Sequence, residues 1–222
     1  GVLFEIQGMN QTLEINAVGE GAHASTPEEG KNALSALLLL LSRLPLADSP
    51  QSRLIRSLSE LFPWNDTEGR ALGINMKDEI SGALTMAFSM LEMDESSMSG
   101  AFDSRTPICG NKENVADPIC RKFASCGITL EGSEMTPPHY VKEDSEFIKT
   151  LLDAYERYTG QKGYCSCTGG GTYVHSLKNG VAYGASMPGT DNRMHGADEF
   201  AVIDELLMCA KIYAQVIADL CR

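Results

Sequence analysis

Two adjacent prolines, Pro137 and Pro138, constrain this chain more than any other local feature. Neither has a backbone N–H to donate, and each holds φ at about −65°. A helix or an interior strand cannot run through the pair, so Met135-Thr136-Pro137-Pro138-His139 reads as an extended linker. The two sides of the linker differ in pattern. Before it, alternating segments predict strands over Val2–Ile6 and Thr12–Val18 around a turn at Gly8-Met9-Asn10. Thr26, Pro27 and Glu29 predict a capped helix running to about Leu44, and Arg53–Phe62 a second, shorter one. Strands follow over Leu84–Leu91 and Met98–Arg105 with a turn at Asp94-Glu95, then a helix over Glu113–Ala124 and a short strand over Gly127–Glu131. That mixture is α+β. Beyond the linker, Asp144–Thr159 predicts a helix ended by Gly160, Val181–Ser186 a strand, and Ala197–Leu220 a closing helix. That last helix carries apolar Phe200, Ile203, Leu206, Leu207 and Ala210. The expectation is two domains, residues 1–134 and 135–222.

Bulk properties exclude several functions. The formal net charge is −12 over 222 residues, with no basic stripe of the kind nucleic-acid binders carry. The longest apolar run, Ala36–Leu41, is far shorter than the roughly 20 residues that span a bilayer. Seven cysteines without a C-x-x-C pair do not read as a disulfide framework, which favours a reducing, cytoplasmic setting. Cys165-Ser166-Cys167 is the one close pair; a metal or redox role is conceivable, but no second pair exists to complete a thiolate site.

Candidate chemistry clusters at glycines and at two of the four histidines. Gly169-Gly170-Gly171-Thr172-Tyr173 strips side chains from a length of backbone, so a ligand can lie against its N–H groups. His195 follows Pro188-Gly189-Thr190-Asp191 at the mouth of the last helix. Its position suits a metal ligand or an acid–base group, and equally a helix-capping or surface histidine. His23, between Ala22 and Ala24, lies where a substrate could approach the ring; a solvent-facing loop histidine fits the same position. Arg105 ends a strand, where it could fork onto a carboxylate or form a surface ion pair. No H-E-x-x-H, nucleophile elbow or phosphate-binding loop occurs, and no full set of metal ligands can be assembled from the chain.

Taken in order, several segments resemble the peptidase V-like dipeptidases, within the metallopeptidase superfamily that includes carnosinases, aminoacylases and succinyl-diaminopimelate desuccinylase. They are the stretch from Gly19 through His23 and Pro27 to Ala33, Asp78-Glu79-Ile80-Ser81-Gly82, Asp103-Ser104-Arg105, Pro137-Pro138-His139-Tyr140-Val141, the Thr168–Tyr173 loop, and Pro188–Asp191 leading to His195. The resemblance implies an α+β lid, or dimerisation-like, domain joined to the C-terminal part of an α/β zinc-peptidase catalytic domain. It implies that His195 ligates one of two metal ions, usually zinc with manganese or cobalt as substitutes. His23 would stabilise an oxyanion, Arg105 would grip the C-terminal carboxylate of a dipeptide, and Gly170, Gly171 and Thr172 would cradle its backbone. The family's N-terminal catalytic segment, with its other ligands and its general base, would precede Gly1. The expectation is therefore part of a cytoplasmic dipeptidase, inactive alone. Two other readings remain: an N-acyl amino acid deacylase of the same superfamily, and a non-catalytic binding module that forms homodimers through exposed strand edges.

Overall fold

The computed structural model describes residues 1–132, 134–184, 187–194 and 198–221, without the side chain of Met9. They form a mixture of helices and small antiparallel sheets, as the α+β expectation requires. Chain contacts divide them into two compact units: Gly1–Pro138 with Thr168–Gly170, and His139–Cys167 with Gly171–Arg222.

The first unit opens with a hairpin of β1 (Leu3–Met9) and β2 (Thr12–Val18). Its turn is Asn10-Gln11, both left-handed at φ 46° and 68°, and not the expected Gly8-Met9-Asn10. A two-residue turn with both residues at positive φ matches strand twist, and asparagine tolerates that conformation. The helix expected from Thr26 starts later. Pro27–Glu29 makes a single tight turn, Thr26 provides no side-chain cap, and α1 spans Ala33–Arg43. The cause lies across the chain: Glu20 and Lys31 exchange backbone bonds of 3.1 and 2.8 Å, which pulls residues 30–31 into an extended bridge. Gly19 permits that approach, because a Cβ there would sit 2.0 Å from the Lys31 carbonyl oxygen. Asn32 then caps α1, its side chain accepting from Ser35 N at 3.0 Å while its amide donates to Phe88 O at 2.8 Å.

Helix α2 (Pro50–Leu61) begins three residues before the expected start, because Ser49 and Ser52 cap each other's backbone N–H groups. After a short pair, β3 (Lys77–Asp78) with β4 (Gly82–Ala83), come β5 (Thr85–Met93) and β6 (Met98–Arg105). The Asp94 carboxylate closes their turn by accepting from Ser96 N and Ser97 N, both at 2.7 Å, and these bonds hold its pKa down at about 2. A single turn over Lys112–Ala116 feeds α3 (Asp117–Ser125). Gly127–Glu131 is not a strand: among the described residues no strand pairs with it, and Ile128 and Leu130 instead pack against the core. That core joins Leu38, Leu58, Phe62, Leu84, Phe88 and Phe123, with Phe62 stacked on Phe88 at 4.2 Å. Such a ring pair adds about 0.5–1.5 kcal/mol beyond its buried area.

The second unit is built on α4 (Glu146–Thr159), capped by Ser145 and ended by left-handed Gly160, and α5 (Ile203–Leu220). The helices meet through Ile148, Leu151, Ala154, Ile212 and Val216. Ile203, Leu206 and Leu207 are exposed, and the buried stripe is Cys209, Ile212 and Val216. Residues 198–202 are not helical, so α5 starts later than the expected Ala197, which itself lies outside the described residues. Val181–Gly184 is not a strand, and the rest of that expected element, Ala185 and Ser186, lies outside them too. Among the described residues no helix is long and apolar enough to cross a membrane.

Candidate active site

In the first unit the ends of β5 and β6 gather three of the singled-out features. Thr85 and Arg105 are register partners at the end of the β5–β6 ladder. The Thr85 hydroxyl donates to Ala24 O at 3.3 Å, which ties the His23–Ser25 loop to that end of the sheet. Asp103 lies two residues before Arg105, so both side chains leave the same face of β6. The Asp103 carboxylate accepts from Arg105 Nε at 2.6 Å and Nη2 at 2.9 Å, a two-pronged grip on one edge of the guanidinium. The outer edge, Nη1 with the second hydrogen of Nη2, keeps the fork geometry that fits another carboxylate. Both side chains are about one-third exposed, at 32% and 34%.

The start of the glycine run docks on the same place. A Cβ on Gly169 would lie 2.9 Å from Ser25 Cβ and 3.6 Å from Arg105 Cβ and Cγ, so only glycine fits without displacement. Gly170 N donates to Thr168 Oγ1 at 3.4 Å, a local bond that shapes the segment. His23 is held by its own loop: Nδ1 lies 2.7 Å from Ser25 Oγ and accepts from Ser25 N at 3.3 Å. The structure thus brings together His23, Arg105 and the Thr168–Gly170 segment.

A second lock lies just beyond Arg105. The Asp78 carboxylate accepts from Ile80 N, Ser81 N, Ser81 Oγ and Cys109 N, and Ser81 Oγ accepts from Ile108 N at 2.8 Å. These bonds, led by the one from Ser81 N, hold the Asp78 pKa well below the ordinary carboxylate range. The knot fastens the turn that follows β6 to the β3–β4 loop.

The remaining candidates belong to the second unit. Gly171 and Thr172 precede a tight turn over Tyr173–Ser176, and among the described residues no side chain crowds Gly171. The Pro188–Asp191 turn, with Gly189 at φ 89°, is held by Glu205 in the first turn of α5. Glu205 accepts from Thr190 Oγ1 at 2.5 Å and from Met187 N at 3.5 Å. His195 lies outside the described residues. Among the described residues no group of three or more His, Cys, Asp or Glu could hold a metal ion. Cys165 and Cys167 are exposed and free, and burial raises the Cys165 thiol pKa.

Sequence reading singled out His23 and Arg105 but not the residues that hold them. Asp103 was legible in principle, because Asp-x-Arg on a strand puts both groups on one face. Ser25, Thr85 and Glu205 left no such signal, since their bonds depend on turns and on pairing across the chain.

The sequence profile of Peptidase family M20/M25/M40 matches residues 6–219. The chain belongs to this family. Similar proteins include the Beta-Ala-Xaa dipeptidase of Lactobacillus delbrueckii subsp. lactis, 32% identical over 99% of this chain and 46% of the relative. YtjP of Bacillus subtilis (strain 168), whose dipeptidase name is itself provisional, is 34% identical over 96% of this chain and 45% of its own length. The chain therefore spans a little under half the length of the curated relatives it matches. These findings bear out the resemblance to the peptidase V-like dipeptidases read from the sequence segments.

Proposed function

We propose that this chain is the C-terminal part of a di-metal dipeptidase, contributing substrate-binding and oxyanion-stabilising groups. The observation that carries the reading is the gathering of His23, Arg105 and Gly169 at one sheet end in a chain of this peptidase family. In this reading the outer edge of Arg105 binds the C-terminal carboxylate of a dipeptide, and Asp103 keeps the guanidinium in place. His23 donates to the oxygen that becomes negative as the peptide carbonyl is attacked. The N–H groups of Gly170, Gly171 and Thr172 hold the dipeptide backbone.

The proposed parent enzyme carries two zinc ions, with manganese or cobalt as alternatives, and His195 is one ligand. Metal supplies the activated water when bound. The described residues of this chain do not fit a metal site by themselves, since no three-donor group is present among them. The other ligands and the general base would come from a catalytic segment outside this chain, and the 222-residue piece alone would be inactive. The proposed location is the cytoplasm, and the proposed division places the lid in residues 1–134 and catalytic-domain sequence in 135–222.

The test is a substrate panel on the full-length parent, with free dipeptides, dipeptide amides and N-acyl amino acids, run beside the 222-residue chain. The reading expects metal-dependent cleavage of free dipeptides by the parent and none by the chain alone. Preferential cleavage of N-acyl amino acids would establish the deacylase instead. No hydrolysis of any substrate, together with concentration-dependent dimers, would establish the binding module.

A further inference from the structure

The His23 ring carries more information than its position. A backbone N–H can only donate, and Ser25 N points its hydrogen at His23 Nδ1 over 3.3 Å. Nδ1 must therefore present its lone pair. The Ser25 hydroxyl, 2.7 Å from the same nitrogen, can donate to that lone pair as well. In the neutral ring the one proton is then on Nε2, the nitrogen on the far side of the imidazole. Two donors from one residue, two positions along the chain, also fix the plane of the ring. The loop itself is held in place from both sides, by Thr85 at Ala24 O and by the close contact of Gly169 with Ser25.

We propose that Ser25 is a positioning residue that sets His23 in the Nε2–H tautomer, so that the ring meets substrate as a hydrogen-bond donor. This deepens the dipeptidase reading and rests on it for the identity of the acceptor. A donor is what a developing oxyanion requires, and a bare nitrogen in its place would repel it. Ser25 does not touch the reacting atoms; it acts through the ring. A mis-set tautomer is costly wherever a histidine must present one defined nitrogen to the chemistry.

Two measurements decide it. The first needs no activity: the 222-residue chain is labelled with ¹⁵N in the histidine rings, and His23 is assigned by the signals lost in His23→Gln. With the ring neutral, the proposal expects a bare Nδ1 and a protonated Nε2. Ser25→Ala should move both nitrogens away from the Nε2–H pattern of the wild type. A protonated Nδ1 in the wild type, or a spectrum unchanged by Ser25→Ala, would overturn the proposal. The second uses the full-length parent. Ser25→Ala should lower kcat about tenfold while KM stays within about twofold, because the interaction forms in the transition state. Ser25→Thr keeps the hydroxyl and should recover most of kcat. A raised KM with unchanged kcat would contradict the assignment. If the wild-type parent cleaves no dipeptide, the functional reading fails, while the ring spectrum still decides the role of Ser25.

Discussion

The contact between Asp103 and Arg105 makes the sharpest prediction about substrate binding. The two bonds, 2.6 and 2.9 Å, fix one edge of the guanidinium and aim the other. Asp103→Ala removes both, and Asp103→Asn leaves one acceptor oxygen. Hydrogen bonds to charged groups contribute about 1.5–3 kcal/mol when buried, and exposed ion pairs about 0–1 kcal/mol. With both side chains about one-third exposed, an intermediate figure of about 1–1.5 kcal/mol applies to Arg105 placement. At about 1.4 kcal/mol per factor of ten, Asp103→Ala should raise KM for a free dipeptide about five- to twelvefold. Asp103→Asn should fall between it and the wild type. The effect belongs in KM, because the carboxylate is bound equally in the ground and transition states. The assay is steady-state kinetics on the full-length parent with a dipeptide and its C-terminal amide. The amide lacks the negative charge that Arg105 binds, so its kinetics should barely change. Equal losses on both substrates would show a general structural role. A lower KM would show that Asp103 competes with the substrate for Arg105. Either result would refute the argument.

Three further predictions follow from other contacts. Gly169→Ala places a methyl group 2.9 Å from Ser25 Cβ, so the Thr168–Gly170 segment must shift; kcat/KM of the parent should drop about tenfold or more, with little change in melting temperature. Asn32→Ala removes the cap of α1 and the bond to Phe88 O, and should destabilise the first unit by about 1–2 kcal/mol in urea unfolding. Asp78 has a folded-state pKa below its unfolded value, so its ionised form stabilises the fold above the unfolded pKa, and that contribution fades as pH falls toward the folded one. The stability advantage of the wild type over Asp78→Asn should therefore be full above about pH 4 and shrink below it, as read by acid titration of unfolding.

Much of this architecture was legible because its causes are local. Strand alternation placed β2 and β6 at their observed limits, and Gly160 marked the end of α4. What escaped was set by distant partners. Thr26-Pro27-Glu29 has the pattern of a helix start, but the Glu20–Lys31 bridge holds the next residues extended and passes the cap to Asn32. Gly127–Glu131 alternates like a strand yet, among the described residues, finds no strand to pair with. The α5 sequence offers apolar residues on two faces, and periodicity alone could not say which one meets α4. At the site, His23 and Arg105 stand out as residue types, whereas their supports depend on folding: Thr85 reaches the His23 loop only through the register of β5 with β6.

The most direct test is inhibition of the full-length parent by a phosphinic dipeptide analogue, whose tetrahedral oxyanion mimics the transition state. His23→Gln should weaken the analogue about a hundredfold and leave KM for the dipeptide within about twofold. Arg105→Gln should weaken analogue and substrate together, because both carry the C-terminal carboxylate. Analogue affinity unchanged in His23→Gln, or KM unchanged in Arg105→Gln, would contradict the assignment of this sheet end as the substrate-binding side of a dipeptidase.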